Sequence, residues 1–254
     1  GAPHPRCTMI IETCEESGSF DLPTYLEALT ERLGNPDMVV VLDSGGPDYD
    51  HIWMTEALRG LVSGTLSVKV SHEGIHSGNS GGSIPSSFRI QRILLDRVED
   101  SSSGKVRIPE MHVEIPEKVR ENAISLKDIV GDSIWEQFPT VDTLRQASET
   151  TEDMIVAMNW EPTLSIIGAD GIPSVQDAGN VLRTNTDLKL SFRIPPGVDS
   201  EYAIARAKEI LEQDPPYGAE VTFPPDSCAD GFHAPPLDGP ISEAINEASM
   251  ELTG

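Results

Sequence analysis

The sequence predicts an α/β layer that is interrupted by a complete α+β domain. Three observations predict this class. A strand, a helix and an all-apolar strand follow one another in residues 7–42, as in a parallel sheet. Beyond residue 60, strands alternate apolar and polar residues, which is typical of a sheet with one wet face. A last helix follows them, so the first layer is predicted to be discontinuous and incomplete.

The first layer begins with a predicted strand at residues 7–13. Asp21 is predicted to cap a helix that Leu22-Pro23 opens and Gly34-Asn35-Pro36 closes. Residues 38–42 are apolar throughout, as in a strand that is covered on both faces. The three elements predict a βαβ unit.

The inserted domain follows a β-α-β-β-α-β order. In its third strand Phe192 and Ile194 alternate with Ser191 and Arg193. This order is that of a ferredoxin-like domain, a four-stranded antiparallel sheet with both helices on one face. The predicted elements are strand 66–70, helix 86–100, strands 163–167 and 188–194, helix 199–212 and strand 219–223.

The predicted domain bounds follow from these elements. Residues 1–60 are the first part of the α/β domain, residues 61–225 are the ferredoxin-like domain, and residues 226–254 return to the first domain. Residues 108–158 are a mostly helical insertion, with helices predicted at 116–123, 133–138 and 141–160. Residues 226–238 are predicted to be a linker, and Pro240 opens the final helix.

The charge of the chain excludes several partners. It carries 42 Asp and Glu against 18 Lys and Arg, a net charge of −24. Such a surface repels phosphate backbones and anionic lipids over about 8 Å at physiological salt, and no run of Lys or Arg offsets it. The longest apolar runs, 9–11 and 38–42, are far shorter than the ~20 residues of a membrane span. We expect neither nucleic acid nor membrane as a partner.

The cysteines indicate a compartment. Cys7, Cys14 and Cys228 are odd in number and show no C-x-x-C spacing, which is typical of a reducing environment. The sequence therefore predicts a cytoplasmic protein.

Acidic residues follow both strands of the first layer. Adjacent side chains in an extended chain point oppositely, so of Glu15 and Glu16 one carboxylate can bind a metal while the other acts as general base. Asp43 ends the next strand, where ligand sites of α/β sheets lie. The alternatives are a solvated loop for the two glutamates and a turn-initiating aspartate before Gly45-Gly46.

The loop GIHSGNSGG carries two further candidates, His76 and Ser80. Gly78–Gly82 matches the G-x-S-x-G nucleophile elbow, but an elbow needs a strand running directly into its first glycine, and HEGIHS intervenes. A helix-capping glycine loop and a functional His76 are both better interpretations than a nucleophilic Ser80.

Arg193 is the candidate for anion binding. Alternation places it on the face opposite Phe192 and Ile194, where a guanidinium can bind a carboxylate with two hydrogen bonds. A surface salt bridge is the alternative. Asn180 stands some way before it, in GNV.

Taken in order, the motifs resemble a known family. They are CEESGS, a strand ending in LDSGG, LRGLVSGTLSVKV, HSGNSGG, GNV ahead of SFRIPP, and APPLDGPISEAINEA. The set resembles the co-catalytic zinc peptidases, which include carboxypeptidase G, aminoacylase, succinyl-diaminopimelate desuccinylase and cytosolic nonspecific dipeptidase. The LDS and HSGxxGG forms and the long insertion are similar to the dipeptidase and carnosinase branch. The resemblance covers essentially the whole chain, and the inserted domain corresponds to the family's lid.

The resemblance implies roles for the acidic residues. Glu15 would be the general base that deprotonates a bridging water, and Glu16 and Asp43 would each bind one of two divalent metal ions, zinc or else manganese. The implied reaction is hydrolysis of a dipeptide or an N-acyl amino acid.

For the lid, the resemblance implies contacts with substrate and with a second copy of the chain. His76 would reach the active site of the partner in a homodimer formed through the lid and stabilise the oxyanion. Asn180 and Arg193 would hold the substrate, with Arg193 gripping its free C-terminal carboxylate.

Part of the family's ligand set is missing. No H-x-D motif occurs, and nothing beyond His233 can serve as the last histidine ligand. We therefore expect an internal fragment without peptidase activity, whose function belongs to the full-length protein. The alternative is a lid that serves only for dimerisation and substrate binding.

Overall fold

A computed structural model describes residues 4–43, 45–46, 48, 50–235, 237 and 239–253. The chain divides into two compact units, Gly1–Gly45 and Gly46–Gly254. This division does not coincide with the predicted boundary at residue 60, and the three domain bounds remain a prediction.

The first unit is helical in its regular part. Helix α1 (Leu22–Ala28) has Pro23 in its first turn, and helix α2 (Thr30–Leu33) follows directly. Gly34 ends α2 with a φ of 69°, a conformation that glycine adopts without strain. The predicted helix, its opening Pro23 and its closing Gly34 are therefore present, but the helix is broken at Leu29. Asp21 precedes the helix without making the predicted capping hydrogen bond from its side chain.

The two predicted strands of this unit are wrong. Residues 7–13 and 38–42 are extended or irregular and pair with no described strand. Val41 and Leu42 are 77% and 94% exposed. A parallel sheet needs further strands to pair with, and the described residues of this unit contain helices but no strand. An apolar run alone therefore does not make a strand.

The second unit contains all of the described strands and the remaining helices. The strands are β1 (Ala57–Leu58), β2 (Gly60–Lys69), β3 (Ile75–His76), β4 (Thr163–Asp170), β5 (Val181–Leu182), β6 (Asn185–Ile194), β7 (Glu220–Thr222), β8 (Pro225–Ala229) and β9 (Phe232–His233). The helices are α3 (Ser77–Ser80), α4 (Ser87–Val98), α5 (Glu117–Val130), α6 (Ser133–Glu136), α7 (Thr151–Trp160), α8 (Ser200–Glu212) and α9 (Pro240–Thr253).

The main sheet confirms the ferredoxin-like prediction. Its antiparallel order is β4-β6-β2-β7, with β8 also pairing with β2. Helices α4 and α8 pack on one face of this sheet, around a core that includes Phe192, Leu66 and Leu94. The opposite face carries Ser63, Ser191 and Arg193 and is called the open face below.

A buried glutamine ties helix α4 to the sheet. Gln91 is fully buried, and its Nε2 donates to the carbonyl oxygens of Leu66 and Thr186 at 2.8 Å each. Ser87 shares a hydrogen bond of 2.7 Å with the hydroxyl of Thr186. These bonds fix the position of α4 against β2 and β6, which a purely apolar contact would leave free to slide.

The insertion forms a small helical core of its own. Helices α5 and α7 pack together, and Thr150 caps α7 by accepting a hydrogen bond from the backbone N–H of Asp153 at 3.1 Å. Helices were predicted here, but residues 141–150 are not helical. The buried members of this core are Ala123, Ile134, Met154, Ile155, Val156 and Trp160.

The predicted linker at 226–238 is wrong in its first half. Strand β8 pairs with β2, with Ala229 opposite Leu61, and β9 pairs with β1. A side chain at Gly60 would prevent this, because its Cβ would lie 2.4 Å from the carbonyl oxygen of Ala229. Helix α9 begins at Pro240 as predicted.

Within the described residues, no helix combines the length and the apolar content that crossing a bilayer requires.

Candidate functional site

The candidate acidic residues lie in the first unit. Glu15 and Glu16 belong to a 3₁₀ turn, Glu15–Ser17, which the N–H of Gly18 closes by donating to the carbonyl oxygen of Glu15 at 2.8 Å. The expectation that their side chains point oppositely from an extended chain is therefore wrong. In a 3₁₀ turn, successive side chains are about 120° apart. Both glutamates are exposed.

Asp43 lies close to this turn. Its negative charge, followed by that of Glu16, raises the pKa of Glu15. The structure thus brings three carboxylates near one another without the regular sheet that was predicted to do so. A bound cation would relieve their mutual repulsion.

The carboxylates do not by themselves form a metal site. Among the described residues, no group of three or more His, Cys, Asp or Glu side chains is placed to hold a metal ion. A stable zinc site uses three or four protein ligands. Glu16 and Asp43 can supply one ligand each, so we derive no chemical step through a metal from these residues.

In the second unit, His76 and Asn180 lie together. Strand β3 pairs with β5, which sets His76 opposite Val181. The N–H of Ser77 also donates to the carbonyl oxygen of Asn180 at 2.9 Å. Two residues far apart in sequence are joined by this short pair of strands, which sequence periodicity did not reveal.

The loop holds the His76 ring in one tautomer. The N–H of Gly78 donates to Nδ1 of His76 at 3.1 Å, so His76 caps the short helix α3. Since a backbone N–H is always the donor, Nδ1 is the acceptor and the neutral imidazole carries its proton on Nε2. The ring is exposed and presents an Nε2–H donor to solvent.

Ser80 has a structural environment. Its side chain is 3% exposed, and its hydroxyl donates to the carbonyl oxygen of His76 at 3.2 Å. A nucleophilic serine needs an accessible hydroxyl and an adjacent base. The geometry therefore opposes the serine-hydrolase alternative and assigns Ser80 to holding the loop.

Gly78 is predicted to set the position of the His76 ring. A Cβ at residue 78 would lie 3.0 Å from Cε1 and 3.1 Å from Nδ1 of His76. We expect Gly78→Ala to displace the ring and abolish the single Nε2–H tautomer, as measured by long-range ¹H–¹⁵N spectra of the histidines. Gly179→Ala is the matched control, since its Cβ would meet nothing within 4 Å. Unchanged His76 nitrogen shifts in Gly78→Ala would contradict the prediction.

Arg193 occupies the open face, as alternation predicts. It is exposed between its register partners Leu61 on β2 and Thr163 on β4. It forms no ion pair with any described residue, so the salt-bridge alternative is not observed. The guanidinium is therefore available to a ligand.

Arg193 does not share a site with His76 and Asn180 within one chain. It stands at the far end of β6 from Asn185, and strand β5 with the His76 loop lies beyond Asn185. Eight residues of strand span about 26 Å. The chain thus presents two separate groups of candidate residues on its second unit.

Sequence reasoning missed Arg59. This half-buried residue precedes β2, and its Nη1 donates to the carbonyl oxygen of Glu161 and to Oγ1 of Thr163, at 3.2 Å each. The one sequence signal was an arginine directly before the glycine that opens a strand, in LRG. The residues that contact Arg59 depend on the register between β4 and β6, which the sequence does not show.

The sheet order, the two helices on one face and the inserted helical core define the class, a ferredoxin-like α+β domain that carries a helical insertion. The chain is similar in sequence and in fold to peptidases. It is 23% identical over 205 residues to the Beta-Ala-His dipeptidase of Mus musculus, covering 80% of this chain and 41% of that protein. No family model matches it.

Solved structures show the same fold. Human carnosine dipeptidase 1 matches with a TM-score of 0.70 and 20% identity, over 94% of this chain and 51% of that one. The M20 family metallo-carboxypeptidase Sso-CP2 from Sulfolobus solfataricus matches with a TM-score of 0.67 and 18% identity, over 94% and 53%. The chain thus spans about half the length of these proteins. The family resemblance predicted from the motifs is confirmed in sequence and in fold.

Proposed function

We propose that the complete protein that carries this chain hydrolyses dipeptides or N-acyl amino acids with a free C-terminal carboxylate, using divalent metal ions. The observation that carries the proposal is that Arg193, on the open face of a sheet whose fold is shared with a carnosine dipeptidase, has no ion-pair partner among the described residues. A guanidinium on a rigid strand can grip a carboxylate with two parallel hydrogen bonds. That contact would select peptides that end at the residue bound.

The carboxylates of the first unit would hold the metal ions and accept a proton during hydrolysis. We assign Glu16 and Asp43 one metal ligand each and Glu15 the role of proton acceptor. The charge of Asp43 raises the pKa of Glu15 and so makes it a stronger base while it is still ionised. Zinc is the proposed metal, with manganese as the alternative. Because the described residues do not complete a metal site, we expect the 254-residue chain alone to be inactive.

His76 and Asn180 would act on a second copy of the chain. They are separated from Arg193 by about 26 Å of strand and cannot meet the same small substrate within one chain. We therefore propose a homodimer through the lid, in which the Nε2–H of His76 donates to the oxyanion formed in the partner's site. Strand β4 supports this interface, because in the described sheet it pairs on one side only and exposes Ile166 and Ile167.

A cytoplasmic location is part of the proposal. Cys7, Cys14 and Cys228 are all free thiols in the structure. Free cysteines are typical of a reducing compartment.

The proposed function predicts chelator-sensitive peptidase activity. We expect the complete protein to hydrolyse dipeptides, to lose activity with a chelator and to regain it with Zn²⁺ or Mn²⁺. A C-terminally amidated dipeptide is the matched control substrate, and it should be cleaved about 10²-fold less well because Arg193 loses its charged partner. Chelator-resistant hydrolysis, or equal rates on acid and amide, would contradict the proposal.

The second candidate is a lid that only dimerises and binds substrate. The lack of a three-ligand metal group among the described residues favours it. The same assay separates the two candidates, since this one predicts peptide binding without hydrolysis by the complete protein.

A further inference from the structure

Two arginines share one end of the open face. Arg59 is anchored through Nη1 to the carbonyl oxygen of Glu161 and to Oγ1 of Thr163. Thr163 lies directly opposite Arg193 in the β4–β6 register. Side chains at such paired positions stand about 4.5–5.5 Å apart at Cβ. The hydrogen bond to Thr163 therefore sets the guanidinium of Arg59 beside that of Arg193.

Most of the hydrogen-bond donors of these two arginines have no partner among the residues that the structure describes. The two hydrogen bonds of Arg59 use Nη1 alone, while its Nε and Nη2 bond to no described residue. Arg193 makes no side-chain hydrogen bond or ion pair with any described group. A guanidinium carries five N–H donors in a fixed plane. Each of the two guanidinium groups can therefore donate a pair of parallel hydrogen bonds to a bound anion.

The charges of the pair are not neutralised by any acidic residue within the described part of the chain. Burial lowers the pKa of Arg59, and the positive charge of Arg193 lowers it further. The two guanidinium groups therefore repel each other. Among the acidic residues along these strands, Asp226 pairs with Lys189 and Glu220 with Lys69, while Asp170 and Asp187 lie at the other end of the β4–β6 pairing from Arg193. In a chain of 42 acidic and 18 basic residues, two adjacent cations without a described acidic partner are unexpected by chance.

We propose that Arg59 and Arg193 together bind a dicarboxylate, and that the preferred substrate of the protein ends in an acidic residue. Arg193 would take the C-terminal carboxylate and Arg59 the side-chain carboxylate of a terminal Glu or Asp. A single carboxylate compensates one of the two cations, whereas a dicarboxylate compensates both. The identity of the ligand as a substrate rests on the proposed function; the anion site does not.

The test is a binding titration of the 254-residue chain at low ionic strength, followed by NMR or calorimetry. The probes are N-acetyl-L-glutamate, its isosteric amide N-acetyl-L-glutamine, and inorganic phosphate. We expect acetylglutamate to bind about tenfold more tightly than acetylglutamine, the value of one added charge-assisted hydrogen bond. Equal affinities, absence of binding by acetylglutamate, or tighter binding of phosphate would overturn the assignment.

Variants separate the two arginines. Arg59→Gln should reduce acetylglutamate affinity to that of acetylglutamine and leave acetylglutamine unaffected, whereas Arg193→Gln should weaken both probes. Thr163→Val, which removes an anchor of Arg59 and keeps its charge, should weaken acetylglutamate alone. Arg92→Gln, on the exposed surface of α4, is the matched control and should change neither. An Arg59→Gln variant that weakens both probes equally would also overturn the proposal.

The outcome can be told apart from a failure of the proposed function. If the complete protein cleaves dipeptides but shows no preference for a terminal Glu over Gln, the dicarboxylate inference fails and the peptidase proposal stands. If acetylglutamate binds as expected and no peptide is cleaved, the anion site stands and the peptidase proposal fails.

Discussion

Phe192→Ala is expected to lower the free energy of unfolding of the second unit by about 3–5 kcal/mol. Phe192 is fully buried and lies between Val62 and Leu164 in the sheet register, under helices α4 and α8. The substitution removes a whole ring from the centre of the core, and neighbouring strands are held by hydrogen bonds and cannot collapse into the gap. Such a loss is a large part of the 5–15 kcal/mol that stabilises a typical domain.

The measurement is equilibrium urea unfolding followed by tryptophan fluorescence. Trp53, Trp135 and Trp160 all belong to the second unit, so the signal reports that unit. Phe88→Ala is the matched control, because Phe88 is 48% exposed on α4 and its loss should cost at most about 1 kcal/mol. Equal destabilisation by the two variants would contradict the placement of the core.

The ferredoxin-like domain was predictable because the chain itself contains the elements that bury the apolar face of its alternating strands. Alternation at positions such as Leu190, Phe192 and Ile194 requires only that one face of the sheet be buried, and the chain supplies both helices that bury it. Local pattern and tertiary packing agree there, as they do in most well-folded domains.

The first layer was not predictable for the opposite reason. The apolar pattern of residues 38–42 indicates a strand buried on both faces, but no described strand pairs with these residues and they remain exposed in spite of the helices α1 and α2 in the same unit. The predicted linker at residues 226–238 is wrong for another reason, because part of it forms strands. Strand β8 forms because Gly60 lets another strand approach closely, and sequence periodicity carries no information about such an approach.

The sequence predicted positions of single candidate residues, but not how these residues are arranged in space. Alternation placed Arg193 on the open face, but the pairing of His76 with Asn180 depends on two-residue strands, β3 and β5, that are too short to show a period. Arg59 depends on the register of β4, which brings Thr163 within reach of its Nη1. Register is set by the whole sheet and cannot be read from one strand.

Mixing two inactive variants is expected to restore peptidase activity if the proposed site is shared between copies. In the complete protein, His76→Ala removes the proposed oxyanion donor and should lower kcat by about 10²–10³-fold. Arg193→Ala removes the proposed carboxylate contact and should lower kcat/KM by a similar factor. Each variant alone therefore forms homodimers in which both sites are defective.

The heterodimer is different. In a two-fold symmetric dimer, one of its sites combines an intact Arg193 with an intact His76 from the other copy, and the second site lacks both. Random exchange makes half of the dimers mixed, so the mixture should recover about a quarter of the wild-type activity. Mixing His76→Ala with Asn180→Ala is the matched control, since both changes fall in the same group and no intact site can form. Recovery in the control, or none in the test, would show that the 26 Å separation along β6 is not bridged by a second copy.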